Sequence, residues 1–504
     1  MHQKIPNNFK DREELRNKGQ FWTPPWVAKA MVEYVVNNSN LLFDPATGKG
    51  VFLEALREIE SSGKHIEFYG IDIDENILDN SVYKDNFCTI ETRDFISNPP
   101  ENKFRSIVAN PPYIRHHRLS KATKTKLKKI SNSILNYSID GRAGIHIYFL
   151  LQALKLLENN GKLAFIMPAD TCEGVFANDL WNWIIRNYCL ECVITFRPEA
   201  TPFPKVDTNP IIFLIKKNYQ QNKLLWIRVK EKFSDDLRNF IKSGMSLRNF
   251  NSLDIEEREI KEAISTGLSR SKVINNSNHK LVDFANTMRG IATGANKFFF
   301  ITKEKAKELN IPNEFLKPAI SRTRDVPNSI INKDTLIKLE KKNKPTLLFS
   351  PDGRALSDFP KEVQKYLIYG EKLGLNNRPL IKTRKPWYKM EKRKIPKFLF
   401  AYLGRRNARF IKNEAKVLPL TGFLCIYPKF DNKEYLENFW KILNHPETIK
   451  NLFLVGKSYG NGAIKVEPRA LENLPIPDIL IKKYNLEYVP IRKATQKNLT
   501  FRKG

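Results

Sequence analysis

The first half of the chain alternates short apolar runs with longer segments in which apolar residues recur every three or four positions. This alternation predicts strands joined by crossover helices. The runs are rich in Ile, Leu, Val and Phe, which is typical of strands buried on both faces of a sheet. We predict strands at residues 40–44, 67–72, 106–110, 162–167, 191–196 and 210–216. We predict helices at residues 26–37, 50–61, 75–84, 145–159 and 178–188.

The pattern changes beyond about residue 240. Residues 251–278 are polar, turns then become frequent, and basic residues alternate with aromatic ones, as at residues 382–389. We therefore predict a doubly wound, Rossmann-like α/β domain over residues 1–245, a connector over residues 246–279, and a mixed α/β domain over residues 280–504. A length of 504 residues suits two domains.

The balance of charges points to a polyanionic partner. The chain has 85 Lys and Arg against 54 Asp and Glu, a formal charge of +31. An excess this large indicates a nucleic-acid partner rather than a basic surface that serves only solubility. The sequence contains no clear basic amphipathic helix, so binding to a membrane surface is less favoured. No apolar run is long enough for a spanning helix, and residues 1–16 lack a secretory core. Five cysteines predict no disulfide framework, so we expect a cytoplasmic protein without membrane association.

The first candidate site is the turn after the first predicted strand. It is formed by Asp44, Pro45, Ala46, Thr47, Gly48, Lys49 and Gly50. Glycines let main-chain amides approach a ligand closely, and the following helix terminus suits an anionic group. The spacing fits neither the dinucleotide pattern nor the P-loop pattern, and a purely structural turn remains the alternative.

Two further acidic segments each follow a strand-like run. Asp72 and Ile73 end the second predicted strand, where a carboxylate can accept hydrogen bonds from ribose hydroxyls. Asp94 and Phe95 offer a carboxylate for an adenine amino group and a ring for the purine face. Together with the glycine turn, these segments predict a site for an adenosine that carries a charged tail.

The sharpest motif is Asn110-Pro111-Pro112-Tyr113, directly after the third predicted strand. The prolines stiffen the turn and fix the Asn110 amide oxygen and the Pro111 carbonyl as two acceptors. Two acceptors aimed at an aromatic amine hold its hydrogens and direct its lone pair at an incoming methyl group. Tyr113 then offers a face on which the base stacks. A rigid loop without chemistry is the alternative, and we assign that role to the similar tripeptide that begins at Asn98.

Phe203 lies between two prolines, outside any periodic segment. We predict it as the second wall around the base, with a loop aromatic that covers the sheet edge as the alternative. Cys189 and Cys192 form a single pair without the second pair that a tetrahedral zinc site needs, so we predict no metal site.

Taken in order, these motifs resemble those of the γ-class DNA adenine-N6 methyltransferases. The resemblance includes Gly19-Gln20-Phe21-Trp22-Thr23-Pro24-Pro25, which is similar to the amino-terminal cofactor motif of that class and implies a cofactor role for Thr23. It implies S-adenosyl-L-methionine as the cofactor and a flipped-out adenine in double-stranded DNA as the substrate. Residues 280–504 resemble the target-recognition domains of the class more loosely. Protection of DNA beside a cognate restriction endonuclease is a further implication. We expect a monomer, because one chain carries both the catalytic and the recognition domain.

Several basic residues are candidates for DNA contacts, although a solvated charged face is the alternative for each. They are Lys121, Lys124, Arg384, Lys385, Arg405 and Arg406. Two other functions stay open. One is methyl transfer to an RNA adenine or a protein glutamine, and the other is DNA recognition by a non-catalytic protein that retains the fold.

Overall fold

The computed structural model describes residues 21–36, 39–60, 65–77, 81–84, 86–173, 176–204, 209–272, 277–401, 409–459, 463–466 and 468–490. These fall into two compact units, divided between Lys272 and Ser277; Tyr459 groups with the first. Within the described residues, every helix is too short or too polar to span a bilayer.

A nine-stranded sheet forms the centre of the first unit. Its strands are β1 (Leu41–Asp44), β2 (Glu67–Asp72), β3 (Cys88–Thr92), β4 (Phe104–Ala109), β5 (Leu157–Pro168), β6 (Cys189–Phe196), β7 (Pro210–Lys216), β8 (Lys223–Val229) and β9 (Leu253–Glu259). They are arranged in the order β3-β2-β1-β4-β5-β7-β6-β8-β9. The first five are parallel, whereas β7 runs antiparallel to both β5 and β6, and β9 antiparallel to β8.

Helices cover both faces of this sheet. They are α1 (Pro25–Val35), α2 (Val51–Ile59), α3 (Lys121–Leu135), α4 (Ile145–Leu156), α5 (Asp170–Glu173), α6 (Ala177–Asn187), α7 (Asp236–Lys242) and α8 (Ile260–Thr266). Successive strand residues point into different cores: Phe43 and Ile107 belong to one, and Leu42 and Val108 to the other. Both faces are therefore buried, which confirms the predicted doubly wound, Rossmann-like fold.

Two segments differ from the prediction. Residues 75–84 contain only the short 3₁₀ turns Glu75–Ile77 and Ser81–Tyr83 among their described positions, because the Asp74 carboxylate accepts from the Asn76 side chain at 2.7 Å and favours a turn. The predicted connector contains β9 and α8, which belong to the first unit.

The second unit contains smaller sheets. Its strands are β10 (His279–Lys280), β11 (Ala285–Arg289), β12 (Phe300–Ile301), β13 (Leu316–Ile320), β14 (Ile330–Ile331), β15 (Leu347–Phe349), β16 (Phe398–Ala401), β17 (Arg409–Asn413), β18 (Leu418–Pro419), β19 (Phe423–Pro428), β20 (Lys457–Tyr459), β21 (Ala463–Lys465) and β22 (Pro475–Ile476). One sheet has the order β11-β19-β16-β17-β14, another β12-β15-β13-β18, and β10 pairs with β22.

Short helices pack on these sheets and complete three hydrophobic clusters. They are α9 (Asn296–Phe299), α10 (Lys303–Glu308), α11 (Lys333–Glu340), α12 (Lys361–Lys372), α13 (Lys433–Leu443), α14 (Pro446–Lys450), α15 (Leu452–Val455), α16 (Pro468–Glu472) and α17 (Asp478–Lys483). This mixture of helices and sheets confirms the predicted mixed α/β class.

Candidate active site

The candidate site lies at the carboxyl ends of β1 and β4, where the strand order reverses. β1 pairs in parallel with β2 on one side and with β4 on the other, with Phe43 beside Ile107. A crevice forms at such a reversal because the chain leaves the two strands toward opposite faces of the sheet. Asp44 ends β1 and Asn110 directly follows β4, so the two predicted polar groups both stand at this crevice.

The glycine turn after β1 is held against the end of β2. The N–H of Gly48 donates to Oδ2 of Asp72 at 2.9 Å. Gly48 has a φ of 55° and Gly50 a φ of 80°, in the left-handed region that favours glycine. The hydroxyl of Tyr83, which no sequence pattern singles out, donates to the main-chain oxygen of Gly48 at 2.8 Å. The turn is therefore fixed before any ligand binds.

Two shielded carboxyl groups meet at this turn. Asp44 is fully buried; its Oδ1 accepts from the N–H of Ala46 at 3.0 Å, while Oδ2 has no hydrogen-bond partner in the described part of the chain. Burial, and secondarily the neighbouring Asp72 carboxylate, raises the pKa of Asp44 well above its ordinary value. Burial also raises the pKa of Asp72. Carboxylates that are shielded from water at one place favour a positively charged ligand.

The three other residues predicted to contact the adenosine lie in different environments. Ile73 exposes 71% of its surface just after β2. The Asp94 carboxylate closes its own turn by accepting from the N–H of Ser97 at 3.3 Å and from the Ser97 hydroxyl. Phe95 is only 2% exposed, and its ring packs at 5.3 Å from that of Phe149 in the core. The prediction that the Phe95 face contacts an adenine is therefore corrected, because that side chain points into the core.

Asn110 is oriented by the segment that precedes α1. Its Nδ2 donates to the main-chain oxygen of Phe21 at 2.5 Å and to Oγ1 of Thr23 at 3.1 Å. A carbonyl oxygen can only accept, so the amide nitrogen must face Phe21. In the described part of the chain, no donor binds Oδ1 of Asn110 or the main-chain oxygen of Pro111. The loop thus keeps two acceptors available, and Thr23 contacts this loop.

Three aromatic rings gather beside these acceptors. The ring centroid of Phe21 lies 5.4 Å from that of Tyr113 and 6.0 Å from that of Phe203. Tyr113 and Phe203 lie 6.2 Å apart with their planes at 72°. They expose only 8% and 4% of their surfaces. Tyr113 and Phe203, the two rings predicted to stack on the base, are therefore close together. Phe21 packs against both of them, a contact that the sequence of the amino-terminal motif did not indicate.

A further tyrosine contact anchors this cluster to the sheet. The hydroxyl of Tyr113 donates to the main-chain oxygen of Ile166 in β5 at 3.0 Å. His146, from the first turn of α4, lies 6.1 Å from the Tyr113 ring, edge to face. The sequence gives no periodic or motif signal for His146, since it falls in an apolar helix.

Lysines on α3 follow the Asn110–Tyr113 loop. Ser120 caps this helix by accepting from the N–H of Thr123 at 3.0 Å. Lys121 is exposed and Lys124 half-buried, and Lys124 lines a pocket of about 390 Å³. A basic helix thus follows the Asn110–Tyr113 loop, and we predict that its residues Lys121 and Lys124 contact DNA.

In the second unit, the predicted DNA contacts separate into two kinds. Arg384 is half-buried: its Nη2 donates to the main-chain oxygen of Ala292 at 2.6 Å, and its guanidinium lies 5.9 Å from the Phe299 ring. The prediction of Arg384 as a DNA contact is corrected, because its charge is held inside the unit. Lys385 is exposed. Arg405 and Arg406 lie outside the described residues.

Cys189 and Cys192 are buried in β6. Among the described residues, no three or more His, Cys, Asp or Glu side chains are grouped so that they could hold a metal ion.

Comparisons with known proteins converge on one class. A family model described as N-6 DNA methylase matches residues 7–280, and a model of the C-terminal domain of the type II methyltransferase M.Eco57I matches residues 268–501. The type II methyltransferase M.AccI of Acinetobacter calcoaceticus is 30% identical over 91% of this chain and 85% of its own length. M.HindII of Haemophilus influenzae is 24% identical over 92% and 90%. Among solved structures, the type IIL restriction-modification enzyme MmeI in complex with DNA has a TM-score of 0.54 and 13% identity, over 92% of this chain and 65% of that chain.

Proposed function

Since this chain belongs to the N-6 DNA methylase family and is a DNA methyltransferase similar to the type II enzymes, we propose that it transfers a methyl group from S-adenosyl-L-methionine to N6 of an adenine flipped out of double-stranded DNA. The observation that carries this proposal is the orientation of Asn110. Its amide nitrogen is bound by Phe21 and Thr23, so that its oxygen stays available for an exocyclic amine.

The loop acts by positioning. Oδ1 of Asn110 and the main-chain oxygen of Pro111 accept the two hydrogens of the adenine amino group, and the nitrogen lone pair then points away from both. When bound, S-adenosyl-L-methionine would supply an electrophilic methyl carbon on its sulfonium. The carbon–sulfur bond would break as the carbon–nitrogen bond forms, its electron pair would stay on the thioether product, and one amino proton would leave to water. The prolines keep the two acceptors in place, so little reorganisation is needed as charge develops on the nitrogen.

The carboxyl groups at the glycine turn fit this cofactor. S-adenosyl-L-methionine carries a sulfonium and an ammonium group, and the unpartnered Oδ2 of Asp44 is a buried acceptor that a cation would satisfy. Asp72 already accepts from the N–H groups of Gly48 and Asp74, and its remaining lone pairs suit ribose hydroxyls. Ile73 offers its exposed apolar side chain to the adenine ring of the cofactor.

The aromatic cluster receives the flipped base. A base between two rings needs parallel planes separated by twice the carbon contact distance of about 3.5 Å. Tyr113 and Phe203 stand too close together and at too steep an angle for this. When the base enters, the ring of Phe21 therefore leaves the cluster, and the ring of Phe203 moves away from Tyr113 and turns parallel to it. Stacking offsets the few kcal/mol that flipping costs.

Basic residues hold the duplex. Lys121 and Lys124 on α3 bind phosphates beside the flipped nucleotide, and Lys385 in the second unit also binds phosphate. We expect a cytoplasmic monomer that protects the sites cut by a cognate restriction endonuclease.

Nucleoside analysis tests the reaction. The protein is incubated with labelled S-adenosyl-L-methionine and, in parallel, duplex DNA, RNA or a protein extract. Label in N6-methyladenine from the DNA alone is the expected result. Label in another DNA base would remove the adenine assignment, and label mainly in RNA or in glutamine side chains would overturn DNA as the substrate. Failure to bind the cofactor by calorimetry would mean a recognition protein without catalysis.

A further inference from the structure

His146 is a buried histidine for which the methyl-transfer chemistry has no assigned use. It is 1% exposed, and neither ring nitrogen has a hydrogen-bond partner in the described part of the chain. A neutral imidazole carries one donor and one acceptor, and each destabilises the fold when it is buried without a partner. A phenylalanine would fill the same space without that cost, so packing alone does not explain a histidine here.

The surroundings of the ring define what His146 can contact. A Cβ on Gly144 would lie 2.6 Å from Cε1 and 2.8 Å from Nδ1 of His146, so the ring fills the space that the glycine leaves open. On the other side, Nε2 lies 3.5 Å from Oδ1 of Asp170, at the start of α5. The ring also lies edge to face with Tyr113, at 6.1 Å and 72°. The titratable groups that face His146 are thus Asp170 and Tyr113.

These contacts complete the immobilisation of Tyr113. Its hydroxyl is fixed by the bond to the main-chain oxygen of Ile166, but one hydrogen bond leaves the ring plane free to rotate. The rings of Phe21 and Phe203 also contact the Tyr113 ring, but both must move when the base enters, so the edge-to-face contact with His146 is the one that keeps the plane in place. The angle of the plane decides how well a base can stack on it.

We propose that His146, paired with Asp170, is a positioning residue that holds the Tyr113 ring at the angle required for stacking of the target base. The proposal rests on the proposed function, because it takes Tyr113 as the stacking surface. Asp170 limits rotation of the imidazole, because Oδ1 of its carboxylate lies 3.5 Å from Nε2.

The test compares His146→Leu and Asp170→Asn with the native protein, because leucine fills a similar space but has no aromatic edge. Single-turnover methyl transfer is measured at saturating DNA and cofactor, together with the KM for DNA and the melting temperature. Loss of the edge-to-face pair should slow His146→Leu about two- to tenfold with an unchanged KM, and Asp170→Asn should slow the reaction in the same direction. His117→Asn, a control at an exposed residue beside the motif, should keep the native rate.

If His146→Leu keeps the native rate, the positioning role is wrong. If His146→Leu does not fold, Asp170→Asn is used instead, because the Asp170 side chain is 55% exposed and its replacement leaves the core intact. A native rate in that variant overturns the positioning role in the same way. Tyr113→Ala separates the two proposals: full activity in that variant overturns the stacking role of Tyr113 itself, whereas loss of activity there with native behaviour in both other variants overturns only the role of His146.

Discussion

The side-chain amide of Asn110 donates to the main-chain oxygen of Phe21 at 2.5 Å, across 89 positions of the chain. This bond joins the segment before α1 to the loop after β4. It fixes which end of the amide faces outward, and the same segment brings the Phe21 ring against Tyr113 of that loop and against Phe203, which follows β6. Orientation of the amide and closure of the aromatic cluster therefore depend on the same segment.

Replacement of Asn110 should stop the chemistry without removing the cofactor. Asn110→Ala deletes one of two acceptors for the amino group, and loss of one oriented group of this kind costs about 10²–10³-fold in rate. Single-turnover methyl transfer measures that loss, and calorimetry should show unchanged binding of S-adenosyl-L-methionine. Asn98→Ala is the matched control: Asn98 begins the same Asn-Pro-Pro tripeptide on an exposed turn, and its replacement should leave the rate unchanged.

Removal of the Phe21 ring should make base flipping easier. Phe21→Ala keeps the main-chain oxygen that orients Asn110 but removes a ring that competes with the base for the aromatic cluster. If that contact is worth about 1 kcal/mol, DNA should bind about fivefold more tightly. Duplexes with 2-aminopurine at the target position should fluoresce more strongly. Phe233→Ala, at an exposed aromatic outside the cluster, should change neither quantity. Weaker DNA binding would instead make Phe21 a wall of the base pocket.

Neutralisation of Asp44 should raise the stability of the cofactor-free protein but lower its affinity for the cofactor. Because burial raises the pKa of Asp44 in the folded protein, this carboxyl group lowers the stability of the fold. The cost is absent below its ordinary pKa, grows as pH rises from there to the elevated pKa, and stays constant above it. Asp44→Asn should therefore stabilise the cofactor-free protein at neutral pH by about 1 kcal/mol, with no gain in acid. Thermal melting at both pH values measures this, and calorimetry should show weaker cofactor binding. Equal cofactor affinity in the variant would contradict an electrostatic role for Asp44.

The strands that position the site were predictable because buried parallel strands have a strong local signature. The runs that end at Asp44, Asp72 and Asn110 consist almost entirely of apolar residues, and each ends in a polar one. The carboxyl ends of parallel strands share one edge of the sheet, so the meeting of Asp44, Asp72 and Asn110 at one place followed from the pattern.

Other features depend on long-range contacts that no local pattern reveals. The stretch that contains Arg258 reads as a solvated connector, yet Arg258 is fully buried and bonded to Glu262 and to the main-chain oxygen of Gly267. Phe95 reads as a ligand contact but packs in the core, and Phe21 takes its place among the aromatic residues only through the fold. Local composition therefore mispredicts two kinds of residue: charged residues that pair inside the fold, and aromatic residues in loops. In both cases contacts with distant parts of the chain decide the environment.

The lysines of α3 should control the salt dependence of DNA binding. Each phosphate contact that is lost should reduce the slope of log K against log salt by about 0.9. Lys121→Ala and Lys124→Ala should therefore lower the slope by about that amount each, and binding should weaken equally for all DNA sequences. Lys103→Ala provides the control, because Lys103 is exposed just before the amino end of β4, at the opposite edge of the sheet from the site. A native slope in both α3 variants would place the phosphates elsewhere.

Arg384 and Lys385 are adjacent basic residues that should respond in opposite ways. Arg384 donates to the main-chain oxygen of Ala292 and lies over Phe299, so Arg384→Ala should destabilise the second unit by about 2 kcal/mol, the usual contribution of a hydrogen bond to a charged group together with its packing. Lys385 is exposed, and Lys385→Ala should leave the melting temperature unchanged while DNA affinity falls and its salt dependence weakens. Melting curves and DNA titrations of both variants measure the difference. If Arg384→Ala melts like the native protein and loses DNA binding, its guanidinium contacts phosphate and the internal role assigned here is wrong.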